Sequence, residues 1–118
     1  MITLKTLSQA TAQEVFDQIT QHLLRQGKAA ISATGACRYR IETADGVLKC
    51  AAGCLIADDE YNREWENTDW KDLASQGIVP TRHFNLIHAF QEIHDTVAVD
   101  YWQDSFKSLA SRFNLQLS

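Results

Sequence analysis

Apolar residues fall along the first part of the chain in the rhythm of an amphipathic helix: Val15, Phe16, Ile19, Leu23 and Leu24 recur on one face, with polar residues between them. Thr11 and Glu14 have the spacing of a capping box, in which each side chain accepts a hydrogen bond from the other residue's backbone N–H. Gly27 is placed to end the helix in a left-handed conformation, so a helix is predicted over 12–26. Residues 28–36 are small and polar and read as a loop. The period then changes to two, as Cys37, Tyr39 and Ile41 alternate with Arg38, Arg40 and Glu42. Asp45-Gly46 supplies a turn, and Val47 to Cys50 return as a second strand. A lone hairpin is barely stable in water, so its apolar side must rest on helices.

The run Ala51 to Ile56 follows directly, and its small residues allow close approach to another backbone. In the second half Thr68 is placed to cap a short helix reaching Gln76, with Gly77 and Pro80 after it. Thr81 is placed to cap the next helix, about 82–96, whose apolar face is Phe84, Ile87, Phe90, Ile93 and Val97. A last helix is expected from Asp100 to Phe113, carrying Trp102, Phe106, Leu109 and Phe113. The pattern predicts an α+β fold, mainly α: four to five helices packed with one short β-hairpin.

Length changes this picture only by limiting it to one domain, residues 1–118, with enough aromatic bulk to close a core. No apolar run reaches the roughly 18 residues that a membrane span needs, and the first residues lack the order of a signal peptide. The expectation is a cytoplasmic protein with no membrane partner. Cys37, Cys50 and Cys54 are an odd number in a chain of this size, and are expected as reduced thiols in apolar surroundings.

Charge adds more. Residues 58–72 hold seven carboxylates against Arg63 and Lys71, a net −5, while the other 103 residues hold nine Lys or Arg against eight Asp or Glu. A basic face for direct nucleic-acid binding is disfavoured, and a basic protein partner is favoured. Tyr61, Trp65 and Trp70 lie among the carboxylates and are residue types that anchor interfaces. The expected partner-binding face is therefore Asp58, Asp59, Glu60, Glu64, Trp65, Glu66, Asp69, Trp70 and Asp72, against the alternative of a merely solvated face.

No catalytic residue, metal ligand set or cofactor motif emerges. Cys50 and Cys54 are four apart and Cys37 can join them across the hairpin, but no second close pair completes a zinc motif. No feature ties His22, His83, His88 or His94 to a cysteine as a nucleophile's base, and most of the histidines are expected at surface or boundary positions. The calcium-loop order is absent from the acidic stretch.

Lys49-Cys-Ala-Ala-Gly-Cys-Leu-Ile-Ala-Asp-Asp-Glu-Tyr61, preceded by Cys37-Arg-Tyr-Arg40 and Thr11-Ala-Gln-Glu-Val-Phe-Asp17, resembles a family of small bacterial and phage proteins. That family combines a helix, a Cys-x-Tyr-Arg strand and a KCA-x-GCLI segment. The resemblance covers about the first half of the chain, and Ala57 stands where the family form has Pro. It implies an immunity protein of contact-dependent growth inhibition, which binds and neutralises a basic nuclease toxin domain, a ribonuclease above all. The alternatives are a Cys-based metal protein or enzyme, and an adaptor for an unrelated protein.

Overall fold

The computed structural model describes residues 1–117. It has four α-helices, one antiparallel hairpin and several single 3₁₀ turns, the expected mainly helical α+β class. Helix α1 spans Ala12–Gln26. Its capping box forms, with Glu14 N–H donating to Thr11 Oγ1 at 3.1 Å and Thr11 N–H to Glu14 Oε1 at 2.8 Å. Gly27 closes the helix at φ +66°, its N–H bonded to Leu23 O. Val15, Phe16, Ile19 and Leu23 are buried, whereas Leu24 lies at the edge and is 41% exposed.

Strands β1 (Arg40–Thr43) and β2 (Gly46–Lys49) pair with Ile41 opposite Leu48. The ladder begins three residues later than the alternation from Cys37 suggests, because the backbone before it is engaged elsewhere. Arg38 N–H donates to Ala30 O, and the Tyr39 and Arg40 N–H groups donate to the Glu66 carboxylate. The hairpin rests on α1 through Lys49, whose carbonyl accepts from His22 Nε2 and Gln26 Nε2, both at 2.9 Å. Residues 50–56 are all buried and include a 3₁₀ turn at Gly53–Leu55.

Helix α2 spans Trp70–Ser75 and is capped by Asp69, whose Oδ1 accepts from Asp72 N–H at 2.8 Å. The expected cap, Thr68, instead gives its carbonyl to the Tyr39 hydroxyl. Helix α3, Phe84–Thr96, starts after His83 at φ +64°, and Thr81 contributes a carbonyl to Phe84 N–H but no side-chain cap. Its inward face is Leu86, Ile87, Ala89, Phe90 and His94; Phe84, Ile93 and Val97 sit at its flanks, partly buried. Helix α4, Trp102–Arg112, follows a 3₁₀ turn at Val99–Tyr101. The centre of the core is aromatic, with Phe90 5.4 Å from Phe16 and 5.5 Å from Phe106 between ring centroids. Such pairs add about 0.5–1.5 kcal/mol each beyond the area they bury. No helix among the described residues is long and apolar enough to cross a membrane.

Candidate functional site: the tethered acidic segment and the Cys37–His94–Asp95 cluster

The acidic stretch divides into carboxylates that bond the protein and carboxylates that face water. Glu60 accepts from three backbone N–H groups, those of Ala57, Leu4 and Lys5, at 2.9 to 3.1 Å. Burial acts to raise its pKa, and these donors outweigh it and hold the group below its ordinary value. Glu66 is 9% exposed, and it receives Tyr39 N–H at 2.9 Å, Arg40 N–H at 3.2 Å and the Tyr61 hydroxyl at 2.6 Å. Burial first and the Glu66 bond second push the Tyr61 phenol up to about 12. Asp58 pairs with Arg40 and Lys49, and Asp69 is the α2 cap.

Two residues expected on the partner-binding face thus lie inside. Trp70 is 2% exposed, and it packs near Tyr39 because the short α2 turns its first residue inward. Glu66 is turned inward by the unpaired N–H groups at the root of β1. Asp59, Glu64 and Asp72 remain exposed, and their carboxylates have no hydrogen bond or ion pair among the described residues. Trp65 is half-buried and is the last residue of a 3₁₀ turn, Arg63–Trp65, that Asn62 caps.

Of these, Glu64 and Trp65 line an open concavity of about 1370 Å³ between the hairpin root and residues 60–67, with Glu60 and Glu66, whereas Asp59 and Asp72 lie outside it. Arg38, Arg40 and Arg63 line it too, which the net charge of the segment alone does not disclose. Arg40 is paired with Asp58 and stands 5.9 Å over the Tyr61 ring, whereas Arg38 and Arg63 have no ion pair among the described residues. The face has mixed charge.

A second arrangement joins residues that sequence reasoning left apart. Cys37 Sγ lies 3.9 Å from His94 Nδ1, which is 2.8 Å from Asp95 Oδ1. Gln91 Nε2 donates to both Cys37 Sγ and Asp95 Oδ1, at 3.0 and 2.9 Å. This is the one trio of possible metal ligands within 4.8 Å among the described residues. The signal available was spacing: His94 falls on the helical face of Ile87 and Phe90, and it is buried rather than at a boundary.

A thiol, an imidazole and a carboxylate are the components of a nucleophile or a metal site, but the protons argue against both. His94 Nε2 receives the Ala30 N–H at 2.9 Å. That group can only donate, so Nε2 keeps its lone pair, and the proton of a neutral ring sits on Nδ1, directed at Asp95. Burial opposes the imidazolium, while Asp95 and Cys37 favour it and together draw the ring's pKa upward. The Ala30 bond acts the other way and keeps the ring neutral, because a proton on Nε2 would set two N–H groups head to head in a buried site. Neither ring nitrogen is then free to take the thiol proton. The Cys50 thiol and burial push Cys37 well above the ordinary thiol range, so it stays S–H. A metal on Nδ1 normally goes with a proton on Nε2, and here that position faces a donor.

Cys50 and Cys54 are buried and bonded locally. Cys50 Sγ accepts from Gly53 N–H at 3.3 Å and the Cys54 thiol donates to Ala51 O at 3.1 Å. Burial pushes Cys54 up to about 12. No family model, curated protein or solved structure matches the chain.

Proposed function

We propose that this domain is a non-enzymatic immunity protein that binds and neutralises a basic nuclease toxin domain through the exposed side of residues 58–72. The observation that carries the reading is the division of labour in that segment. Glu60 and Glu66 hold an irregular loop by five backbone N–H bonds, while Asp59, Glu64 and Asp72 remain free and exposed. A surface loop fixed before binding loses less entropy when its partner arrives. Free carboxylates on it attract Lys and Arg of the kind that line a nuclease's phosphate site, which speeds encounter. Arg38 and Arg63, which line the same concavity as Glu64, favour carboxylates on the partner at matching places, so the same surface selects among basic proteins.

The test is surface plasmon resonance between the purified domain and a basic nuclease toxin domain, with an assay of that nuclease's activity. Asp59→Lys, Glu64→Lys and Asp72→Lys together avoid the carboxylates that hold the backbone. The triple variant should fold, associate at least tenfold more slowly in low salt and lose most of the salt dependence. Wild-type association by the folded triple variant refutes the mechanism. Absence of protection by the unaltered domain refutes the function.

A further inference from the structure

We infer that a hollow beside the second half of α1 binds a tetrahedral oxyanion of the phosphate class. The hollow has a volume of about 370 Å³ and is lined by Gln18, Gln21, His22 and Arg25 of α1 and by Lys49 and Cys54 beside it. The α1 residues follow the spacing i, i+3, i+4 and i+7, so they share one flank of the helix. The hollow therefore runs along the side of α1 and not off its end, where free carbonyls repel an anion. No Asp or Glu among the described residues lines it, although the chain has 15 of them and a net charge of −4. At roughly 30 Å³ per water it holds about twelve waters, room for a phosphate and a small organic group attached to it.

The hydrogen-bonding groups of this wall point to an anion. Its backbone acceptors are already bonded: Lys49 O receives His22 Nε2 and Gln26 Nε2, both at 2.9 Å, and Cys54 O receives Gln18 Nε2 at 3.1 Å. The Cys54 thiol donates to Ala51 O. The exposed Arg25 guanidinium, by contrast, has no ion pair among the described residues. Lys49 holds Asp58 at 3.4 Å, but that carboxylate is also the close partner of Arg40, so it offsets the ammonium only in part. Two cations thus border a space with donors in excess and no carboxylate of its own, and an oxyanion supplies the missing acceptors. His22 feels the same charges. Burial lowers its pKa most, the Lys49 carbonyl raises it, and the charges of Lys49 and Arg25 lower it further, as does His94 when charged. Because Lys49 O can only accept, the proton of the neutral ring sits on Nε2, and Nδ1 becomes a donor only by taking a second proton. An anion in the hollow favours that proton, so anion binding and the His22 charge reinforce each other.

The inference is independent of the nuclease reading, because none of the carboxylates proposed for partner binding lines the hollow. The oxyanion has two sources, free inorganic phosphate or the phosphoryl group of a small ester. NMR titration of the ¹⁵N-labelled full chain at low ionic strength separates them. One arm uses sodium phosphate, and the other uses ribose 5-phosphate with ribose as its neutral control. Sodium chloride at matched ionic strength is the reference for both. The Arg25 Nε–H and the Gln21 side-chain amide should shift saturably in at least one arm, with a dissociation constant of about 5 mM or below. The amides of Lys107 and Arg112, exposed cations on α4, should not move. Tighter binding of the ester makes this a site for a phosphorylated small molecule, and equal or tighter binding of phosphate makes it a site for the free ion. Sodium sulfate, a tetrahedral dianion that does not itself titrate near neutrality, tests the link to His22: the ring should titrate at higher pH in sulfate than in chloride. Arg25→Gln changes an exposed side chain and should leave the fold intact while weakening binding at least threefold. Unsaturated shifts, equal shifts in chloride, equal shifts at Lys107 and Arg112, or a His22 midpoint indifferent to sulfate overturns the inference.

Discussion

Gly53→Ala should be among the most damaging single-methyl changes in this protein. A Cβ on Gly53 falls 2.1 Å from Tyr39 O and 2.9 Å from Tyr39 C, both backbone atoms, whereas ordinary contact begins near 3.4 Å. The chain must open by about 1.3 Å, and no flexible side chain is available to give way. Tyr39 is poorly placed to move, since its N–H is bonded to Glu66, its hydroxyl to Thr68 O, and its ring packs near Trp70. Overpacking a core costs about 1–3 kcal/mol, and losing a hydrogen bond to a buried carboxylate costs about 1.5–3 kcal/mol. The two overlap, so a loss of about 3 kcal/mol is expected, a large share of the roughly 5–15 kcal/mol that holds a domain. Gly53 has no positive φ, so backbone strain does not confuse the result. Urea unfolding followed by far-UV circular dichroism should show the midpoint falling by about 1 M or more, given slopes of about 1–3 kcal/mol/M. An unchanged midpoint would show that the Tyr39 backbone does not press against this turn.

Four further outcomes follow from the same contacts. Glu66→Gln puts an amide N–H₂ against groups that can only donate, and should cost about 2 kcal/mol in the same urea assay; a loss within error removes Glu66 as the clamp. Thr11→Ala should cost about 1 kcal/mol through the lost cap, read as a lower melting temperature. Glu60 has a folded pKa below its ordinary 4.5, so its contribution is present above that pH and is lost as pH falls through the lower folded value. Glu60→Gln should therefore flatten the acid limb of the stability profile, and an unaltered limb contradicts the assignment. Long-range ¹H–¹⁵N NMR at pH 7 should find His94 neutral with its proton on Nδ1; an imidazolium pattern would mean that the Ala30 bond is not made.

Local features were legible in the sequence because they rest on neighbours. Thr11, Glu14 and Gly27 interact within a turn of α1, and both ends of that helix follow from them. Where two local solutions compete, as with Thr68 and Asp69 at the start of α2, propensity alone does not choose, and the Tyr39 hydroxyl claims Thr68 by a contact 29 residues away. The candidate face was legible in charge but not in role. Seven carboxylates in fifteen residues suggest one solvated surface, yet the use of Glu66 is set 26 and 27 residues away, where the Arg40 and Tyr39 N–H groups bond its carboxylate at the start of β1. The approach of Cys37 to His94 spans 57 residues and is a product of tertiary packing, although the inward position of His94 was readable from its spacing with Ile87 and Phe90.

The separation of tethering from exposed carboxylates bears on how such a surface can diverge. Glu60, Glu66 and Gly53 are tied to backbone atoms, so change at these positions is filtered by folding before recognition is ever tested. Asp59, Glu64 and Asp72 carry no such obligation, and substitutions there leave the scaffold's bonds intact. A lineage can therefore vary the charge of this face by drift at a few solvent positions, each step passing through a folded protein. Charge reversal at the tethering positions offers no such path, because the first step already unfolds the loop that must present the rest.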